Sequence, residues 1–135
     1  MPQVIINYLV IILTALVNMF IGYLWYSRFM FGNRWLILIG RTELQLKKMG
    51  NFIYLYSFLA SLVMSYVLAV IISFSEVNSI IGGAFVGFIL WLGFIATTSL
   101  NSFLFAGRSS RLYLIDNGYY LLSLMIMGGL LAIFY

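Results

Sequence analysis

The chain has 135 residues, 64% hydrophobic and 7% charged, with seven Lys and Arg against three Asp and Glu and a net charge of +4. A soluble domain carries about 25% charged residues. Too little polar surface is available here to face water around a core, so lipid is the expected solvent. The basic residues flank apolar runs, as they do in membrane loops, which argues against nucleic acid as a partner. Cys and His are absent, which removes disulfides, thiolate chemistry, the usual zinc sites and any imidazole base. No metal or cofactor is expected.

The first apolar run, Val4–Tyr26, opens without a basic stretch or a small-residue cleavage site. It is therefore expected to persist as a span rather than be removed as a signal peptide. Asn7, Thr14, Asn18 and Trp25 recur on it at steps of seven, four and seven, within about 40° of arc on an ideal helix. The next segment, Arg28–Gly40, interleaves Arg28, Asn33 and Arg34 with Phe29, Phe31, Trp35, Leu36 and Ile39. This pattern suits chain lying among lipid headgroups. Arg41 follows, then Thr42 and Gln45 in capping-box spacing, Lys47, Lys48 and Gly50, which predicts a short surface helix over Glu43–Met49.

Three more runs are long enough to cross a hydrocarbon core about 30 Å thick, which takes roughly 20 helical residues. They are Phe52–Phe74, Ser79–Phe105 and Tyr113–Phe134. Helices are required because unpaired backbone groups are not tolerated in lipid. The second span carries a ladder of small residues, Ser57, Ser61, Ser65 and Ala69. The third carries a GxxxG at Gly83–Gly87. Both are candidate packing faces, within one chain or between copies. Gly83, Gly87, Phe94, Thr97 and Asn101 share one face of an ideal third helix. Asp116, Tyr120, Ser123 and Met127 share one face of the fourth.

Loop Ser75–Asn78 holds no basic residue, whereas the two other loops hold all seven: Arg28, Arg34, Arg41, Lys47, Lys48, Arg108 and Arg111. The positive-inside tendency assigns those two loops to the cytoplasm, against anionic headgroups, and both termini to the outside. Tyr8, Trp25, Tyr26, Tyr54, Tyr56, Tyr113 and Tyr135 lie near span ends, where amphipathic rings prefer to sit. The expected architecture is a single all-α transmembrane domain, a four-helix bundle with an interfacial or short surface helix in its first cytoplasmic loop. With that topology Asn18, Trp25, Thr97, Asn101, Asp116 and Tyr120 fall at similar depth in the cytoplasmic half and are expected to converge. Such a cluster is either interhelical hydrogen-bond glue or a polar pocket or path. Asp116 is the only acid inside a span, and it is either a wet helix-start acid or a proton- or cation-handling group.

The run Gly22-Tyr23-Leu24-Trp25-Tyr26-Ser27, followed by Phe31-Gly32 and Trp35, resembles the signature of the bacterial "domain of unknown function 1761" family. Further matches are Trp91-Leu92-Gly93-Phe94-Ile95-Ala96-Thr97-Thr98, Asn101, Phe105 and Gly118-Tyr119 after Ile115-Asp116. The resemblance covers nearly the whole chain and implies a small four-span membrane protein of unassigned role. The family pattern has Pro after the Trp-Tyr-Ser triplet, where Arg28 stands here, so a less abrupt helix end is expected. Asn7-Tyr8 replaces a more usual Asn-Trp. With no evident nucleophile and base together, the expected role is a non-enzymatic accessory or scaffold subunit of the bacterial inner membrane. It is expected to oligomerise or to join a membrane complex. The alternatives are an oligomeric small-solute or ion transporter using the cluster around Asp116, and a lipid-modifying enzyme.

Overall fold

The computed structural model describes residues 7–134. The expected start of the first span at Val4 and the terminal Tyr135 lie outside these residues. Seven α-helices and one π-helical segment follow in order: α1 (Tyr8–Trp25), α2 (Gly32–Ile39), α3 (Glu43–Lys47), α4 (Phe52–Ser75), α5 (Ile80–Leu90), the π segment (Trp91–Ala96), α6 (Thr97–Ala106) and α7 (Ser110–Phe134). Among the described residues four helices are long and apolar enough to cross a membrane: α1, α4, the composite Ile80–Ala106 and α7. The chain is an all-helical, multi-pass membrane bundle.

Helix ends follow local chemistry. Ser79 caps α5 by accepting from the Gly82 amide at 3.0 Å. Thr42 and Gln45 form the anticipated capping box on α3, at 3.2 and 2.9 Å. That helix closes at Lys47, two residues before the expected end. Gly107 ends α6 in the left-handed region at φ 65°, which its missing Cβ permits. The fourth span begins at Ser110, not Tyr113. Arg111 marks the membrane edge, but a basic residue does not stop a helix from extending into the headgroup layer.

The segment Arg28–Gly40 is largely the helix α2. The chain turns sharply before it, without the family's proline and in contrast to the gradual end expected. The Gly32 amide donates to Ser27 O at 2.9 Å and the Phe31 amide to Trp25 O at 3.1 Å. Only a glycine fits at position 32, where a Cβ would lie 2.3 Å from Tyr26 O.

Helix α7 is the centre of the bundle and packs against α1, α4 and α5. Its crossing with α5 is nearly backbone on backbone. A Cβ on Gly83 would lie 2.1 Å from Gly128 O, and one on Gly87 would lie 2.3 Å from Leu124 O. Small residues let helices approach this closely, so that dispersion and weak polar contacts replace the solvophobic drive that lipid does not supply. Ile11, Leu68, Ile72, Leu124, Met127 and Leu131 fill the apolar core at the end away from the Lys and Arg residues. Arg28, Arg34, Arg41, Lys47, Lys48, Arg108 and Arg111 all belong to the opposite end, where α1 and α6 stop and α4 and α7 begin.

Candidate functional site

The polar groups of the interior are organised around Asn18. This residue is 4% exposed, midway along α1. Its amide nitrogen donates to Ser61 Oγ on α4 at 2.7 Å. Its Oδ1 accepts from Tyr119 Oη on α7 at 3.0 Å and from the hydroxyl of Ser123. One turn further along α4, Ser65 Oγ donates to Ile11 O at 3.0 Å. One amide thus ties three spans together with all its strong contacts inside the protein.

A second group lies at the basic end. Tyr26 Oη donates to Asp116 Oδ1 at 2.7 Å. The Trp25 indole N–H donates to Ile115 O at 2.9 Å. Tyr26 meets Trp35 and Tyr119 edge-on, with ring centroids 5.1 and 5.6 Å apart. Trp25 stacks against Phe31 at 4.6 Å, and a Cβ on Gly118 would lie 3.1 Å from its ring. These aromatics clasp the first half of α7, and Tyr119 joins the clasp to Asn18. The site is therefore a chain of contacts from Asp116 through Tyr26 and Tyr119 to Asn18, Ser61 and Ser123.

Residues 9–132 match the family described as "Protein of unknown function (DUF1761)". The chain belongs to this family. No curated protein and no solved structure matches it. Trp25, Tyr26, Phe31, Gly32, Trp35, Asp116, Gly118 and Tyr119, eight of the residues that carry the resemblance, make up the clasp and the turn beside it. The DUF1761 description carries no activity.

The structure brings Asn18, Trp25 and Asp116 into one connected region, with Tyr120 at its edge, its ring 5.3 Å from that of Tyr119, but not Thr97 or Asn101. Thr97 and Asn101 are exposed on α6, and Thr97 returns its hydroxyl to Gly93 O at 2.7 Å. The π segment explains the difference. A π turn holds about one more residue than an α turn, so residues beyond it are rotated by about 100°. Gly83 and Gly87 face α7, while Thr97 and Asn101 turn outward and Ala96, Ser99 and Phe103 take the inner side. Tyr113 Oη donates to Ala96 O at 2.8 Å, and Trp91 Nε1 to Asn117 O at 2.9 Å. Asn117, 1% exposed, donates from its amide nitrogen to Ser99 Oγ and Tyr113 O, both at 2.9 Å.

Tyr120 meets the Tyr119 ring on one side and is partly exposed on the other. With Met64, Ile95, Thr98, Ser99 and Ser102 it lines an open groove of about 410 Å³. On α4, Ser61 and Ser65 are buried against α1, but Ser57 is exposed. At its level α1 leans on α7 through Gly22 and Tyr119.

Outside the spans, Arg28 and Glu43 form an exposed ion pair at 2.5 Å. The guanidinium holds the Glu43 carboxyl below the usual carboxylate range. Arg41 and Arg108 line a cavity of about 660 Å³ together with Trp35, Ile39, Ile53 and Leu112. Arg34, Lys47, Lys48 and Arg111 are exposed at the same end. Among the described residues no three acidic, His or Cys side chains come together to hold a metal ion. The hydroxyls of Ser61, Ser65, Ser99 and Ser123 donate to an amide or carbonyl oxygen or to a thioether sulfur, or accept from an amide, and the buried Ser73 hydroxyl has no partner. None of these partners is a base able to activate a nucleophile.

Proposed function

We propose that the chain is a non-enzymatic subunit of a membrane assembly, docking through the outward side of α6 onto a helix of a second chain. In the simplest case that chain is a copy of itself. The observation that carries this reading is the exposure of Thr97, Thr98, Asn101 and Ser102 together on a membrane-crossing helix. Ser, Thr and Asn side chains in spans hydrogen-bond across to neighbouring helices. The two threonines return their hydroxyls to carbonyls of their own helix, whereas the exposed Asn101 amide gains from a partner. Interhelical pairs of this kind contribute about 0.6 kcal/mol each on average.

A transport path through Asp116 has weaker support. Neither Asp116 nor Asn18 lines either described cavity, and both are engaged in hydrogen bonds. Loss of a proton- or cation-dependent flux in proteoliposomes on Asp116→Asn would reverse that ranking. The proposed setting is a bacterial cytoplasmic membrane, with the basic end toward the cytoplasm and its anionic headgroups, and both termini outside.

The chain has no native Cys, so single-cysteine variants report cleanly. Asn101→Cys in native membranes is expected to give a crosslinked dimer or a larger adduct. Val63→Cys, exposed on α4, is expected to give none. A species that stays monomeric in mild detergent and uncrosslinked at both positions would sink the proposal.

A further inference from the structure

Arg41 and Arg108 come from the two basic loops, far apart in sequence, yet both border the cavity of about 660 Å³ at the basic end of the bundle. Among the described residues the one ion pair is Arg28–Glu43, so neither arginine is neutralised by a carboxylate. Arg41 donates to Met49 Sδ at 3.3 Å, a weak acceptor, and Arg108 lies 5.7 Å from the centre of the Phe103 ring. Asp116 forms no ion pair with Arg108. Among the described residues no acidic side chain lines the cavity. Apart from Ser109, the remaining side chains of the wall are apolar, from Trp35 and Leu38 on α2 across to Ile53 on α4 and Leu112 on α7.

The position is equally specific. Ile53 and Leu112 stand in the first turns of α4 and α7, and Gly107 directly follows α6, so the cavity opens at the level where spans leave hydrocarbon. A volume in the range of ~300–1,000 Å³ suits a small-ligand site. That volume has room for a headgroup and the first carbons of a chain whose remainder stays in the bilayer. Guanidinium groups match phosphate oxygens in geometry and charge, and give up hydration more readily than ammonium groups.

We propose that this cavity is a binding site for one anionic phospholipid, its phosphate held by Arg41 and Arg108 and its acyl chain laid against Leu38, Ile39, Ile53 and Leu112. The site differs from general attraction of the basic loops to a charged surface. That attraction belongs equally to Lys47 and Lys48, which do not line the cavity.

The test is native mass spectrometry of the full chain in a nonionic detergent, titrated with phosphatidylglycerol or with phosphatidylcholine of identical acyl chains. The expected result is one phosphatidylglycerol bound about tenfold more tightly than phosphatidylcholine, and R41Q/R108Q weakening it by about tenfold or more, the scale of losing charged hydrogen bonds. K47Q/K48Q removes the same charge and is expected to weaken binding by less than about threefold, as diffuse surface attraction would. Equal losses in the two double variants, or equal binding of the two lipids, would overturn the proposal. Displacement of the lipid by millimolar inorganic phosphate would assign the arginines to a free anion instead and would also overturn it. If R41Q/R108Q loses its helical circular dichroism, Arg41→Gln alone, on an exposed loop, carries the same test with an expected loss of about threefold or more.

Discussion

The α5–α7 crossing offers a sharp mechanical test. In Gly83→Ala the new Cβ would sit 2.1 Å from Gly128 O and 2.7 Å from Gly128 C. Ordinary contact begins near 3.4 Å, so the helices must part by about 1.3 Å along that direction (3.4 − 2.1). The obstructing atoms are backbone, which cannot swing aside as a side-chain tip would. Separation also loosens the reciprocal contact of Gly128 on Gly83 O and the neighbouring fit of Gly87 on Leu124. Overpacking costs about 1–3 kcal/mol, and a rigid obstacle puts this site near the upper end. Gly93→Ala is the matched control, because nothing lies within 4 Å of its would-be Cβ. Replacing a helical glycine there is expected to be neutral or to stabilise by up to about 1 kcal/mol. Reversible unfolding in mixed SDS and nonionic micelles, followed by circular dichroism, measures both. If Gly83→Ala stays within about 0.5 kcal/mol of the parent, the close crossing is wrong.

Asn18→Leu keeps the volume but leaves Ser61, Ser123 and Tyr119 without their partner; a loss of about 1–2 kcal/mol in the same assay is expected, and no loss would show that the network is not formed. Trp25→Phe removes the bond to Ile115 O and part of the ring beside Gly118, at about 1 kcal/mol, with the secondary structure unchanged. Arg28 depresses the Glu43 carboxyl, so the stabilisation from this pair is present above the unfolded-state pKa and is lost as pH falls through the lower folded-state value. Both groups are exposed, so the bundle's unfolding midpoint should not follow this titration. An NMR titration of the Glu43 carboxyl should instead move up toward the ordinary range in Arg28→Gln, and an unchanged midpoint there would discredit the pairing.

The span pattern was legible because lipid imposes length and hydrophobicity on every crossing segment. Thr42 and Gln45 announced α3 because a capping box is purely local. The inner site was only half legible. Asn18 and Asp116 stood out as polar groups in apolar runs, and Tyr119 belonged to the Gly118-Tyr119 match. Tyr26 and Trp35 read as interfacial or headgroup-layer aromatics, since nothing local reveals that a sharp turn at Gly32 folds them back onto α7. Thr97 and Asn101 were misdirected for a definite reason: an ideal 100° step was extended through a segment that does not keep it. The distant arginines Arg41 and Arg108 meet only through tertiary structure, which no spacing encodes.

The π segment makes the third span two half-helices with different obligations. Its first half, fused to α7 through Gly83 and Gly87, is committed to the monomer. Its second half can accept substitutions on its outer side without disturbing that seam, because the extra residue decouples the two azimuths. A regular α-helix of the same length would bring Thr97 and Asn101 round toward α7, whereas deleting Gly93 together with the π turn would leave both facing outward, since the lost residue and the lost turn cancel in azimuth. The local winding of the backbone at Trp91–Ala96 therefore decides whether the residues beyond it look at their own bundle or at its surroundings.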